Sequence, residues 1–113
     1  MIFDCTPLYV QILEQIEDEI CTGKWQEGKR IPSVSELAHQ YQVAPQTVSH
    51  SLHLLVQQRI LKPKRGIGMV ICTGSVQRLK QKKMAALLSL VYHARKEAQL
   101  LQIGREEISA MLN

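Results

Sequence analysis

The sequence predicts a small α+β fold, mostly α, in which an N-terminal domain over residues 1–73 is followed by a helical tail over residues 74–113. Three observations carry this reading. Apolar residues recur at helical spacing in three short segments of the first half of the chain. A basic, glycine-containing tip separates two short β-type runs between residues 60 and 72. A long apolar stripe at helical spacing then fills most of the remainder. At 113 residues the chain fits one compact domain with an appendage, not two full domains.

Pro7 is well placed to open the first helix. From residue 8 to about residue 22, Ile12, Leu13, Ile16 and Ile20 recur on one face, with Glu14, Glu17 and Asp18 off that stripe. Thr22-Gly23 ends the helix, because glycine takes the left-handed position after a helix cheaply. Trp25, in the polar segment that follows, reads as a core plug. Ser33 then caps a second helix, with Glu36 at the capping-box spacing. Val34, Leu37, Ala38 and Tyr41 form its apolar face, and it ends near Gln42. A third helix starts at Val43-Ala44-Pro45, with Val48, Leu52, Leu55 and Val56 inward and Gln46, Ser49, His50 and His53 on the opposite side. Two short helices joined by so tight a turn form a helix-turn-helix.

After Arg59, Ile60-Leu61-Lys62 reads as a strand, Lys64-Arg65-Gly66-Ile67-Gly68 as a hairpin tip, and Met69-Val70-Ile71-Cys72 as the returning strand. A two-stranded hairpin is not stable alone, so it must pack on the preceding helices as a wing. The expected fold is therefore a winged helix-turn-helix. A long helix over about residues 76–102 follows, basic in its first third, with Met84, Leu87, Leu88, Val91, Ala94, Ala98 and Leu101 on one stripe. Gly104 breaks it, and residues 105–112 form a last short helix with Ile108, Met111 and Leu112 inward. Two helices cannot enclose a core of their own. The stripe is expected to bury against a second copy in a homodimer, the alternative being that it folds back on its own winged domain.

Composition sets the remaining bounds. Hydrophobic residues make up 45% of the chain and aromatic residues 4%, so the core must be mostly Ile, Leu and Val. No apolar run approaches the ~20 residues that span a bilayer. Residues 1–7 show no basic stretch followed by an apolar one, so the expectation is a cytoplasmic protein without a signal peptide or membrane association. Cys5, Cys21 and Cys72 are widely spaced and odd in number, and read as reduced small hydrophobes. The net charge of +4 is unevenly spread: all ten acids lie in residues 4–36 or 97–107, whereas residues 37–96 hold ten Lys and Arg and all four histidines. Such segregation suits a polyanionic partner.

The partner expected of this fold is double-stranded DNA. The second helix of a helix-turn-helix enters the major groove N-terminus first, which presents Pro45, Gln46, Thr47, Ser49 and His50. Gln46 can pair bidentately with adenine, and Ser49 can bond to a base or to phosphate. Ser33 and Ser35, at the start of the preceding helix, belong to the same surface. At the wing, Lys64, Arg65, Gly66 and Gly68 can approach the backbone or the minor groove, Lys64 as a phosphate contact and Arg65 as a sensor of groove width. Lys80, Lys82 and Lys83 either track phosphates or form a solvated face. His50 and His53 have no nearby Asp, Glu or Cys to complete a metal set, and no nucleophile–base arrangement, paired carboxylates or phosphate-binding glycine loop is present. The sequence points to no enzyme, no cofactor and no metal, and marks no effector pocket. The alternative function class is a winged-helix module that holds a protein instead of specific DNA.

The order of short motifs resembles the GntR family of bacterial transcription regulators across residues 6–71: Pro7-Leu8-Tyr9-x-Gln11-Ile12, Ile20-x-x-Gly23, Gly28-x-x-Ile31-Pro32-Ser33 before Glu36-Leu37-Ala38, Val43-x-Pro45-x-Thr47-Val48, and Gly66-x-Gly68. The short helical tail, with Ile103-Gly104 before Glu106-Glu107-Ile108, looks like the YtrA-like subfamily. That resemblance implies a dimeric repressor of an inverted-repeat operator, often one that controls a transporter operon. Ser35 stands where the family usually has Arg, Arg59 where it usually has Gly, and Met69-Val70 where it usually has Thr-Phe. Ala44, Gln46 and His50 also depart from the subfamily pattern, leaving a less basic recognition helix.

Overall fold

The computed structural model describes residues 5–113; the reading of the extreme N-terminus falls partly on residues 1–4, outside that range. The elements run α1 (Leu8–Cys21), α2 (Val34–Tyr41), α3 (Pro45–Gln57), β1 (Leu61–Lys64), β2 (Gly68–Ile71), α4 (Ser75–Leu101) and α5 (Arg105–Leu112). The chain forms two compact units that divide between Lys80 and Gln81.

In the first unit, α1 and α2 both pack on α3. The core is aliphatic, as the composition requires: Ile16, Ile20, Leu37, Val48, Leu55 and Ile71 are all fully buried, and Trp25 and Tyr41 only flank it. Ser33 caps α2 as its spacing predicts. Its hydroxyl accepts from the Glu36 N–H at 3.2 Å, and the Glu36 carboxylate accepts from the Ser33 N–H at 3.1 Å. The reciprocal pair satisfies two amides that the first turn of a helix leaves open. Gln42 ends α2 in the left-handed conformation, φ 58° and ψ 48°, and reverses the chain so that α3 opens three residues later with Pro45 in its first turn. The Tyr41 hydroxyl donates to Glu19 Oε1 at 3.4 Å, while Lys24 pairs with Glu19 Oε2 at 3.1 Å. Burial, then the Glu19 charge, push the Tyr41 phenol upward.

Glu17 departs from the pattern read along α1. It is not on the solvent side but only 3% exposed. Four residues after Leu13 and next to Ile16, it sits on the edge of the apolar stripe, where one turn of helix carries it inward. Ser51, likewise buried, donates to the Tyr9 carbonyl at 2.6 Å, with the Thr47 carbonyl 3.1 Å away as a second acceptor. This hydroxyl ties α3 to the start of α1.

The wing is an antiparallel pair in register Leu61↔Ile71, Lys62↔Val70, Pro63↔Met69 and Lys64↔Gly68. The Ile67 N–H closes the tip turn on the Lys64 carbonyl at 2.9 Å, and Gly66, at φ 80°, occupies the turn position that side chains avoid. The pair is not a free ribbon. The segment before α2 pairs along the other edge of β2: Gly28 N–H to the Ile71 carbonyl at 2.8 Å, Ile71 N–H to the Lys29 carbonyl at 3.1 Å, and Ile31 N–H to the Met69 carbonyl at 3.0 Å. An Arg30↔Val70 bridge lies between them. β2 is thus flanked on both sides, and the edge left open belongs to β1, where Pro63 has no N–H to offer. Arg59 takes φ 62°, the left-handed conformation that favours glycine.

The second unit contains the rest of α4 and α5. The turn between them runs through Gln102 at φ 58°, and the Ile103 N–H bonds back to the Ala98 carbonyl at 2.9 Å. Ala98 is already buried within its own chain, so it is not part of the uncovered stripe. Met111 and Leu112 are exposed, not inward as their spacing suggests; of that set only Ile108 is half-buried. Met84, Leu87, Leu88, Leu90, Val91 and Tyr92 are each more than half exposed and, at about 100° per residue, cover roughly 200° of α4. Beside them lies an apolar groove of about 580 Å³, lined by Leu87, Leu90, Val91, Ala94 and Arg95 on α4 and Arg105, Ile108 and Leu112 on α5. No helix among the described residues is long and apolar enough to cross a membrane.

Candidate nucleic-acid interface

The residues read as base contacts stand at the N-terminal end of α3. Pro45, Gln46, Ser49 and His50 are exposed, and Thr47 is half-buried. Their spacing puts Gln46, Ser49 and His50 on one solvent face while Val48, Leu52 and Leu55 hold the other in the core. Ala44, the residue that caps α3, has no side-chain acceptor; Pro45 has no N–H to satisfy, and the Thr47 N–H bonds back to the Ala44 carbonyl at 3.0 Å. His50 is not a free side chain. Its ring stacks on Tyr9 at a centroid distance of 4.1 Å and an interplanar angle of 22°. Stacking limits the ring to the α1 side of the helix, whereas Gln46 keeps its full reach. His53, further along, sits 3.2 Å from the Gln57 amide.

Ser35 is exposed on the first turn of α2. Ser33 is exposed too, but its hydroxyl is engaged with Glu36 in the capping box. At the wing, Lys64, Arg65, Gly66 and Gly68 are all exposed, joined by Ile67, an apolar tip residue that charge-based reading passes over.

One cleft of about 430 Å³ brings these parts together. Ser33 and Val34 from α2, Leu52 from α3, and Lys64, Arg65, Gly66 and Gly68 from the wing all line it. Arg30 lines it as well, and sequence reasoning missed it. Its aliphatic stem runs beside Gly68, where an added Cβ would lie 3.5 Å from Arg30 Cδ. Its charge acts on Glu36: that carboxyl is held below its usual value first by the backbone N–H of Ser33, then by the Ser33 hydroxyl, with Arg30 a smaller contributor. Arg30 went unnoticed because it lies in the acid-containing third of the sequence. The available signal was its place within Gly28-x-x-Ile31, whose flanks pair with the wing.

Among the described residues no group of three or more His, Cys, Asp or Glu is placed to hold a metal ion.

Comparison with known proteins places this arrangement. The bacterial regulatory proteins of the gntR family match over residues 8–71, more than half of the chain. The chain belongs to the GntR family. Its GntR domain runs from the start of α1 to the end of β2, and the family consists of regulatory proteins rather than enzymes. The HTH-type transcriptional repressor YtrA of Bacillus subtilis is 33% identical over 82 residues, covering 73% of this chain and 63% of that protein. The GntR chain described here spans less than two thirds of the length of the curated relatives it matches, as little as 14% for one of them. A GntR family transcriptional regulator from Listeria monocytogenes superposes with a TM-score of 0.76 at 29% identity, covering 98% of this chain and 96% of that one. That likeness includes the tail helices as well as the winged helix-turn-helix. The DNA-binding domain of AraR, solved in complex with an operator, superposes with a TM-score of 0.58 at 28% identity over 64% of this chain.

Proposed function

We propose that this GntR chain is a transcriptional repressor that binds an inverted-repeat operator in double-stranded DNA as a homodimer. The observation that carries the reading is the cleft in which the wing, the start of α2 and the flank of the recognition helix converge, with Arg30, Lys64 and Arg65 in its lining and no Asp or Glu there. Arg30, Lys64 and Arg65 neutralise phosphates. Arg30 supplies the cation that Ser35 does not. Gln46 and Ser49 read base edges in the major groove. His50 acts from its stack on Tyr9. Ser33, Pro45 and Thr47 shape the approach of the helix ends, and Gly66 and Gly68 let the wing backbone come close to the duplex.

The tail supports the dimeric part of this reading. A helix that exposes roughly 200° of apolar surface beside an apolar groove has more to bury than its own α5 covers. A second copy is the occupant that closed twofold symmetry favours. In this arrangement Met84, Leu87, Leu88, Val91, Ala94 and Leu101 face the partner. We assign the winged domain to residues 1–73 and the dimerising tail to residues 74–113, with the first turn of α4 held on the winged unit through Ser75 and Leu79. Control of a transporter operon is the finer part of this proposal, and it rests on the resemblance of the motifs and short helical tail to the YtrA-like subfamily.

The test is to incubate the purified chain with sheared genomic DNA and with a random duplex library, and to sequence what is retained. Enrichment of an inverted repeat is the expected result. Retention without enrichment would reduce the activity to charge-driven binding. No retention at modest salt would transfer the fold to the protein-holding alternative.

A further inference from the structure

Helix α4 starts without a side-chain cap of its own. The residue before it is Gly74, which has no side chain and stands at φ 86°. The first amides of a helix lack intrahelical acceptors, and a nearby Ser, Thr, Asp or Asn ordinarily supplies one. Here the acceptor comes from far away in the sequence. The Glu27 carboxylate takes two amides at once: Oε1 accepts from the Gly74 N–H at 2.8 Å, and Oε2 accepts from the Val76 N–H at 3.0 Å, across 47 and 49 residues. The Gly74 and Val76 amides, and then the Arg78 guanidinium, lower the carboxyl below its usual value, against the opposing effect of desolvation.

The same turn is held at further points. The buried Ser75 hydroxyl donates to the Ile60 carbonyl at 2.8 Å, Arg78 donates to the Arg59 carbonyl at 2.7 Å, and Leu79 is buried in the core of the first unit. A local cap would stabilise the helix end equally well. It would not tie that end to anything else. Glu27 precedes Gly28, which is hydrogen-bonded to β2, so the carboxylate fixes the first turn of α4 against the wing and the α1–α2 loop.

We infer that Glu27 is a positioning residue that sets which half-site spacing this regulator accepts, by fixing the start of the tail helix on the winged unit. The inference rests on the dimeric, two-half-site reading above. Two recognition helices must reach half-sites in register along the duplex. The direction in which α4 leaves each winged unit decides whether both are reached at once, and that simultaneous engagement contributes on the order of 10²–10⁴ in avidity, lost where geometry forbids it. A carboxylate holding two amides fixes the first turn of α4, from which the rest of that helix continues.

The test uses the full chain and synthetic duplexes that carry the selected half-site either singly or as inverted repeats of stepped spacing. Wild type should bind one spacing best and lose about 100-fold when the half-sites are moved by half a helical turn. Glu27→Gln, which offers one acceptor where there were two, should flatten that profile to within about tenfold while its affinity for the single half-site stays unchanged. Glu27→Asp, with the charge kept and the reach shortened, should broaden it too. A spacing profile as sharp in both variants as in wild type would overturn the inference and leave the dimeric reading intact. An equal loss on the single half-site would overturn it as well, by showing that Glu27 only holds the winged unit together. A wild type indifferent to spacing would sink the two-half-site reading itself.

Discussion

Arg30, Lys64 and Arg65 share a cleft yet come from the α1–α2 loop and the wing tip. In the proposed complex they meet phosphates, which carry no sequence information, so replacing each with Ala should weaken binding to every duplex alike and lower the slope of log K against log salt by about one per residue. Gln46 belongs to a different class. Gln46→Ala should cost about 1–3 kcal/mol on the preferred operator and little on random DNA. Anisotropy titrations at several salt concentrations separate the two behaviours; a Gln46→Ala loss shared equally by random DNA would remove it from base readout. A second residue-scale expectation concerns Arg59. At φ 62° it bears the Cβ clash of the left-handed region, and its carbonyl, which Arg78 uses, survives substitution. Arg59→Gly should raise stability by about 0.5–1 kcal/mol in urea titrations.

At the scale of elements, much of the fold was legible because the signals are local. Ser33 and Glu36 are three residues apart, Pro45 opens α3, and the stripe Ile12, Leu13, Ile16, Ile20 needs only one helix to make sense of it. The capping box makes a prediction of its own. Ser33→Ala should cost about 1 kcal/mol, read as a shift in thermal or urea midpoint. Because the Glu36 carboxyl is lowered in the folded chain, its contribution is complete above the usual carboxylate value of 4.5 and is lost as pH falls toward the lowered one. An acid titration of Glu36→Gln should therefore converge on wild type below that pH and diverge above it; parallel curves would contradict the assignment. What the sequence hid were the distant pairings. The pairing of the segment before α2 with β2 and the Glu27 cap join segments separated by about forty residues or more, and no periodicity reports such a partner. Glu17 was misplaced for a related reason: its own helix puts it at the edge of the stripe, and the pattern alone does not say whether neighbouring elements cover that edge.

For the whole molecule, the exposed apolar surface of the tail is what a solitary chain would have to keep in water. Leu88 and Val91 are 60% and 55% exposed, so Leu88→Glu with Val91→Glu should leave the protomer folded by far-UV circular dichroism. The pair should convert a dimer to a monomer in sedimentation, and operator affinity should fall by at least about 100-fold as avidity is lost. A variant that remained dimeric would move the interface off this stripe. The tail was legible as two helices and a break at Gly104, but Met111 and Leu112 were not legible as exposed. Spacing locates an apolar face without saying whether its own chain covers it.

The flanking of β2 on both sides bears on the thermodynamics of recognition. A wing that swung freely would have to be ordered on contact with the duplex, and each residue so fixed costs roughly 1–2 kcal/mol of backbone entropy. Here the amides of Ile31 and Ile71 are bonded across to carbonyls of the neighbouring strand before any partner arrives. They should be among the slowest in the domain to exchange with deuterium, and DNA should slow the turn at Arg65 and Gly66 without slowing these further. The basic tip is thus presented on a stiff blade, and little ordering cost is left to subtract from its attraction to phosphate.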